Sequence, residues 1–92
     1  VIKSFCHKGL KDFFESGSKR GITSEIATRL RIRLDVMDAA MTINDISLPG
    51  FRLHELKGQK AGTWSIWVSG NRRLTFKFID GHAYDVELED YH

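Results

Sequence analysis

The chain predicts an α+β fold: a small antiparallel β-sheet with two N-terminal helices packed on one face. Three observations lead there. Apolar residues recur at helical spacing from Lys8 to about residue 40. They recur at every second position from residue 51 onward. Gly70-Asn71 and Asp80-Gly81 fall between the later runs as hairpin signals. A helix offers one apolar stripe to a core and a strand one apolar face, so the two patterns fit together as helices laid on a sheet.

In chain order, "VIKSF" at the N-terminus reads as a short strand. Leu10, Phe13 and Phe14 then fall at i, i+3 and i+4 and predict a helix over 8–15, which the glycines of "SGSKRG" (16–21) end. Thr23 is placed to cap a second helix, with Glu25 in its first turn where a carboxylate suits the helix dipole. Ile26, Leu30, Leu34, Met37 and Met41 form its apolar stripe, and Arg29, Arg31 and Arg33 spread over its remaining surface. Pro49-Gly50 signals a turn.

From there the alternation is strict. Phe51 and Leu53 enclose Arg52, with His54 next. Trp64, Ile66 and Val68 alternate with Ser65 and Trp67. Leu74, Phe76 and Phe78 alternate with Arg73, Thr75 and Lys77. Tyr84, Val86 and Leu88 alternate with Asp85, Glu87 and Glu89.

Parity fixes the expected register, because a one-residue slip exchanges the faces. A three-residue loop over 69–71 sets Ile66 opposite Leu74, Trp64 opposite Phe76 and Trp67 opposite Arg73. A similar loop around Asp80-Gly81 aligns Phe76 with Val86 or Tyr84 and leaves Arg73 facing Glu87 or Glu89. One face of the sheet then stays open, gathering His54, Ser65, Trp67, Arg73, Thr75 and Lys77, with the Lys57-Gly58 loop at one end.

At 92 residues the chain is expected to form one domain, 1–92, with one modest core and little room for a deep pocket. A large substrate must then lie on its surface or be presented by something else. A single cysteine, Cys6, excludes an internal disulfide and fits a reducing compartment. No apolar run approaches the roughly 18 residues of a membrane span, and none resembles a signal peptide. A cytoplasmic protein without membrane contact is the expectation.

Net charge is +2 but unevenly spread: residues 47–79 carry +5 and residues 80–92 carry −5. The basic middle (Arg52, Lys57, Lys60, Arg72, Arg73, Lys77) suits a polyanion such as nucleic acid, unless the acidic last strand pairs with it and cancels it.

RNA cleavage without a metal needs a base for the ribose 2′-hydroxyl, an acid for the departing 5′-oxygen, and fixed cations for the phosphoryl oxygens. The open face and the chain end supply candidates: His92, His54 and Tyr91 for protons, Arg73 and Lys57 for charge. Trp67 could stack a base or simply cover Arg73. Asp90 could tune His92. Each also has a plain reading: a solvated histidine, a cross-strand ion pair, a terminal anchor. Parity puts Asp90 and His92 in the phase of Leu88, on the core side, with Tyr91 on the open side. The strand must twist or end near residue 89 for the three to converge. The four histidines and Cys6 have no zinc-finger or HExxH spacing, and no phosphate-loop glycine pattern is present.

The segments "IKSFCHKGLKDFF", "LHELKG", "WSIWV", "RLTFKF" and the terminal "EDYH" resemble, in order and across nearly the whole chain, the HigB-type toxins of the RelE superfamily. The resemblance implies a RelE-like fold and a toxin of a bacterial toxin–antitoxin pair that cuts messenger RNA in the A site of the small ribosomal subunit, without metal or other cofactor. It implies a small helix-turn-helix antitoxin of the HigA type, through which alone the toxin would meet operator DNA.

The family's catalytic positions fall on His54, Asp90, Tyr91 and His92. Lys57 and Arg73, with Lys60, Lys77 and Trp67 nearby, fall where RNA phosphate and bases would be held. Adenine-containing codons are the implied preference. Arg72 stands where relatives often carry an aromatic residue, and Val1 where an initiator Met is usual. A gyrase-poisoning relative and a non-catalytic RNA- or ribosome-binding module are the rival readings. The arginine-bearing helix 24–40 is one candidate antitoxin surface.

Overall fold

The computed structural model describes residues 1–91. Helix α1 spans Lys8–Ser16 and α2 Ser24–Ala39; β1 is His54–Glu55, β2 Thr63–Ser69, β3 Arg72–Ile79 and β4 His82–Asp90. The four strands form an antiparallel meander in the order β1-β2-β3-β4. The core is the predicted one: Leu10 and Phe13 of α1 and Ile26, Leu30, Leu34 and Met37 of α2 are buried together with Ile66, Val68, Leu74, Phe76 and Val86 of the sheet.

Local chemistry explains the helix ends. His7 caps α1, its Nδ1 accepting from the Leu10 N–H at 2.9 Å, and Gly17 closes it in the left-handed region at φ 77°, its N–H donating to the Phe13 carbonyl. Thr23 stands at the N-cap of α2 as expected, but its hydroxyl makes no cap bond and instead accepts from Arg72 Nη1 at 3.0 Å. The stripe of α2 stops one residue early: the helix ends at Ala39, and Met41 is 80% exposed.

A 3-10 turn at Ile43–Ile46 follows, held by Thr42 and Asp45 in a capping box. A second, at Gly58–Lys60, sits between β1 and β2.

Between β2 and β3 the expected parity held and the expected loop did not. Ile66 faces Leu74, Trp64 faces Phe76 and Trp67 faces Arg73, as expected. The turn, however, is two residues long, because Ser69 pairs with Arg72 and the odd residue is a bulge at Val68.

The β3–β4 turn is likewise two residues, Asp80 and Gly81, both at positive φ (52° and 80°), the combination of a tight hairpin. Its odd residue lies further on: between Thr75↔Glu87 and Lys77↔Tyr84, β4 takes three steps against two on β3, and Asp85 bulges at φ 54°. The expected phase of Tyr84 is therefore wrong. The bulge moves it to the open face opposite Lys77, and Ala83 takes the buried position.

"VIKSF" is not a full strand. It makes isolated parallel bridges, Ile2 to Ala83 and Phe5 to Val86, which cover the outer edge of β4.

Arginines on α2 depart from the expected solvated surface. The Arg33 Nε donates to the Trp67 carbonyl at 2.7 Å and Arg29 Nη1 to the Val68 carbonyl at 3.5 Å. They supply donors to carbonyls at the bulge of β2. Arg33 is buried beneath the Phe51 ring, 4.5 Å from its centroid, and burial followed by the neighbouring Arg29 charge pushes its pKa down.

Candidate active face

Helices occupy one side of the sheet, and the other side carries the polar residues that the sequence singles out. Register lays them in rows: Trp67, Arg73 and Glu89 across β2–β4, then His54, Ser65, Thr75 and Glu87 across all four strands, then Thr63, Lys77 and Tyr84. Ser65 and Thr75 are buried even though they face away from the helices. Ser65 Oγ has no hydrogen-bond partner among the described residues, while the Thr75 hydroxyl donates to Glu89 Oε2.

Arg73 is the cationic centre of the face. It lies between Trp67 and Glu89 in register, yet among the described residues it makes no ion pair with Glu89, whose carboxylate instead takes Thr75 and Lys60 (3.5 Å). The Arg73 guanidinium lies over the Tyr91 ring, 5.7 Å from its centroid, and its buried Nη1 has no hydrogen-bond partner among the described residues. Tyr91 is fixed by its own backbone, its N–H donating to the Asn71 carbonyl at 2.7 Å. The Tyr91 ring thus sits beside the cation.

Trp67 covers a different arginine from the one anticipated. Arg52 stands 4.5 Å from the indole centroid and Arg29 5.5 Å, and the indole N–H donates to the Gly70 carbonyl. His54 is exposed, its Nδ1 3.3 Å from the Arg52 carbonyl. Lys57 is exposed at the start of the second 3-10 turn. Lys77 lies at the far end of β3 from Arg73, 3.9 Å from Asp85. The acidic strand therefore offsets Lys60 and Lys77 in part and leaves Arg73 available.

Not all the anticipated residues come together. β4 continues to Asp90, which pairs with Arg72, so Asp90 stays in the helix-side phase. It lines a shallow groove with His7, Thr23, Arg72 and Leu88, while the Tyr91 ring reaches the open face. His92 lies outside the described residues.

His54 on β1 and Arg73 on β3 are set two strands and one row apart, about 12 Å between backbones at about 4.8 Å per strand and about 3.4 Å per residue, and Tyr91, just past the end of β4, lies a further strand away. Trp67 and the buried hydroxyls of Ser65 and Thr75 lie in the rows between His54 and Arg73. Sequence reasoning missed Arg52, Thr75 as a hydrogen-bonding group, and the double engagement of Glu89. Only the alternation of charge and hydroxyl along β3 hinted at the last two.

The site is a surface rather than a pocket. A groove of about 650 Å³ lies elsewhere, between α1 and α2, lined by Phe13, Phe14, Ala27, Arg31 and Ile32. Among the described residues, no three His, Cys, Asp or Glu side chains group as metal ligands, and no helix is long and apolar enough to cross a membrane. Cys6 is exposed, but its thiol is pushed above its ordinary range, by partial desolvation first and then by the Asp85 and Glu87 carboxylates. A raised thiol pKa is the opposite of nucleophile activation.

Comparison with known proteins agrees with this arrangement. Residues 3–92 match the family described as the RelE-like toxin of type II toxin–antitoxin system HigB. The chain is 46% identical over 92 residues, covering all of both chains, to Endoribonuclease HigB of Proteus vulgaris. It is 35% identical to Toxin HigB-1 of Vibrio cholerae serotype O1, over 95% of this chain and 94% of that one.

Among solved structures, the YoeB-YefM complex from Staphylococcus aureus superposes with a TM-score of 0.66 over all of this chain and 95% of that chain. At 17% identity, this likeness speaks for the fold. A meander with helices on one face, a basic centre beside the chain end, and full-length sequence identity all lead to one assignment: the chain belongs to the HigB family of RelE-like toxins of type II toxin–antitoxin systems.

Proposed function

We propose that this chain, acting as one domain, is an endoribonuclease toxin that cuts messenger RNA presented in the ribosomal A site and so stops translation. The observation that carries the reading is the Arg73 guanidinium set against the Tyr91 ring on the one sheet face that the helices leave open. The namesake relative in Proteus vulgaris is an endoribonuclease. A surface site of this kind depends on another body to present and orient the strand, and the ribosome would do so.

In the proposed reaction His54 takes the proton of a ribose 2′-hydroxyl as the 2′-oxygen bonds to phosphorus. The bond from phosphorus to the 5′-oxygen breaks, and that oxygen takes a proton from the chain end, from His92 assisted by Tyr91. The products are a 2′,3′-cyclic phosphate and a 5′-hydroxyl, and no electrons are exchanged. Asp90, on the other side of the sheet from the Tyr91 ring, takes no part in this proposed transfer.

Arg73, which can grip two oxygens, and Lys57, a point charge, stabilise the phosphoryl group, with Lys60 and Lys77 holding flanking phosphates and Trp67 a base. In-line displacement needs base and acid on opposite sides of phosphorus.

As in other type II systems, the toxin has an antitoxin partner; we propose a helix-turn-helix protein of the HigA type, and a cytoplasmic setting for both. Primer extension on messenger RNA from cells expressing the toxin tests the reading. Codon-aligned breaks that vanish with His54→Ala support it. Intact messenger with relaxed plasmid DNA would indicate a gyrase poison, and ribosome binding without breaks an inert binding module; either result overturns it.

A further inference from the structure

Arg52 is a residue the candidate site does not use, and it is unusual on three counts. It is at φ 51°, in the left-handed region that side-chain-bearing residues other than Asn and Asp rarely enter. Its guanidinium packs on the Trp67 indole at 4.5 Å. Its carbonyl lies 3.3 Å from His54 Nδ1.

The register explains why these coincide. The Trp67 N–H donates to the Phe51 carbonyl, and the Leu56 N–H to the Thr63 carbonyl. From Phe51 to Leu56 the chain takes five steps, and from Thr63 to Trp67 four. The β1 side therefore holds one extra residue, and Arg52 takes the left-handed turn of that bulge. The turn lets its carbonyl point along the open face toward His54 instead of into the ladder.

A carbonyl oxygen only accepts. The imidazole nitrogen facing it must therefore be the protonated one, and in the neutral ring the other nitrogen, Nε2, must carry the lone pair. We infer that Arg52 is a positioning residue: its left-handed backbone, held in place by the guanidinium–indole contact, fixes His54 in the Nδ1–H tautomer, so that Nε2 is presented as the proton acceptor. The inference rests on the reading of His54 as a proton-transfer group, yet the tautomer can be observed without any cleavage. Backbone strain at such a residue persists only where its surroundings enforce it, and here Trp67 does so.

The experiment is nitrogen-15 NMR of the His54 ring in the full-length toxin, with Arg52→Val, Arg52→Ala and Arg52→Asn beside wild type. Branched Val resists the left-handed region, whereas Asn tolerates it. The inference expects wild type and Arg52→Asn to show Nδ1–H as the major form. In Arg52→Val, or in Arg52→Ala should Val not fold, the major form becomes Nε2–H. Messenger cleavage then falls several-fold at unchanged ribosome affinity in the variant that loses the tautomer, and holds in Arg52→Asn.

A wild-type ring protonated on Nε2, or a variant series with no change of tautomer, overturns the positioning role. A change of tautomer with unchanged cleavage upholds the positioning and instead removes His54 from the proposed reaction.

Discussion

Arg73 is where the chemistry of single residues matters most. It is the one open-face cation in register between an indole and a carboxylate, yet Glu89 is engaged by Thr75 and Lys60 and leaves it its charge. In the proposed reaction this guanidinium would meet the phosphoryl oxygens. Arg73→Ala is expected to lower the cleavage rate by about 10²–10³-fold with only a small change in melting temperature. Arg73→Lys restores only part, because an ammonium cannot grip two oxygens together. Single-turnover cleavage on programmed ribosomes checks both, and equal activity of Ala and wild type would remove Arg73 from the chemistry.

Asp45 shows a residue whose charge works for the fold. Backbone N–H groups of Met41 and Thr42 donate to its carboxylate and hold its pKa below the ordinary value. A depressed carboxyl pKa contributes stability above the unfolded value, near 3.9, and loses it as pH falls through the folded value. Protection of the Met41 and Thr42 amides, measured against their intrinsic exchange rates, should therefore be lost as pH falls below the ordinary carboxyl range. In Asp45→Ala that protection should be low at every pH, with no further loss on acidification.

At the scale of elements, the bulges decide which side chains meet. Val68, Asp85 and the Arg52 turn each add one residue to a strand. Each re-aims the groups beside it: Trp67 and Val68 carbonyls toward α2, Tyr84 onto the open face, the Arg52 carbonyl toward His54. The alternation of Ile66, Leu74 and Phe76 made the central register legible, because burial on one face penalises any slip.

Nothing in the same pattern marks a bulge, since an inserted residue leaves local hydrophobicity intact. Hence the phase of Tyr84 was missed, and so were the partners of Trp67. Arg33 was misplaced for a related reason. An arginine at a helix position reads as solvated unless the chain is known to leave a carbonyl beneath it.

Arg33→Met should cost about 1–3 kcal/mol, the range for leaving the buried Trp67 carbonyl unpaired. Chemical denaturation checks this. No loss of stability would mean that water serves that carbonyl as well as the guanidinium does.

At the scale of the whole molecule, the division of labour was legible and the convergence of the site was not. Helices on one face and polar rows on the other follow from periodicity alone. Whether Asp90, Tyr91 and His92 meet depends on where β4 stops. It runs through Asp90, so Asp90 and the Tyr91 ring part to opposite faces.

Among the described residues the candidate site is a surface, in keeping with the proposal that another body presents the strand to it. The claim most exposed to test is that the chain end is a working part of that face. Primer extension on messenger RNA from cells expressing the toxin truncated after Asp90, its folding verified by circular dichroism, addresses it directly. The account predicts loss of the codon-aligned breaks made by the full chain, with the fold and the melting transition largely kept. A folded truncation that cuts messenger at the full-length rate would contradict it.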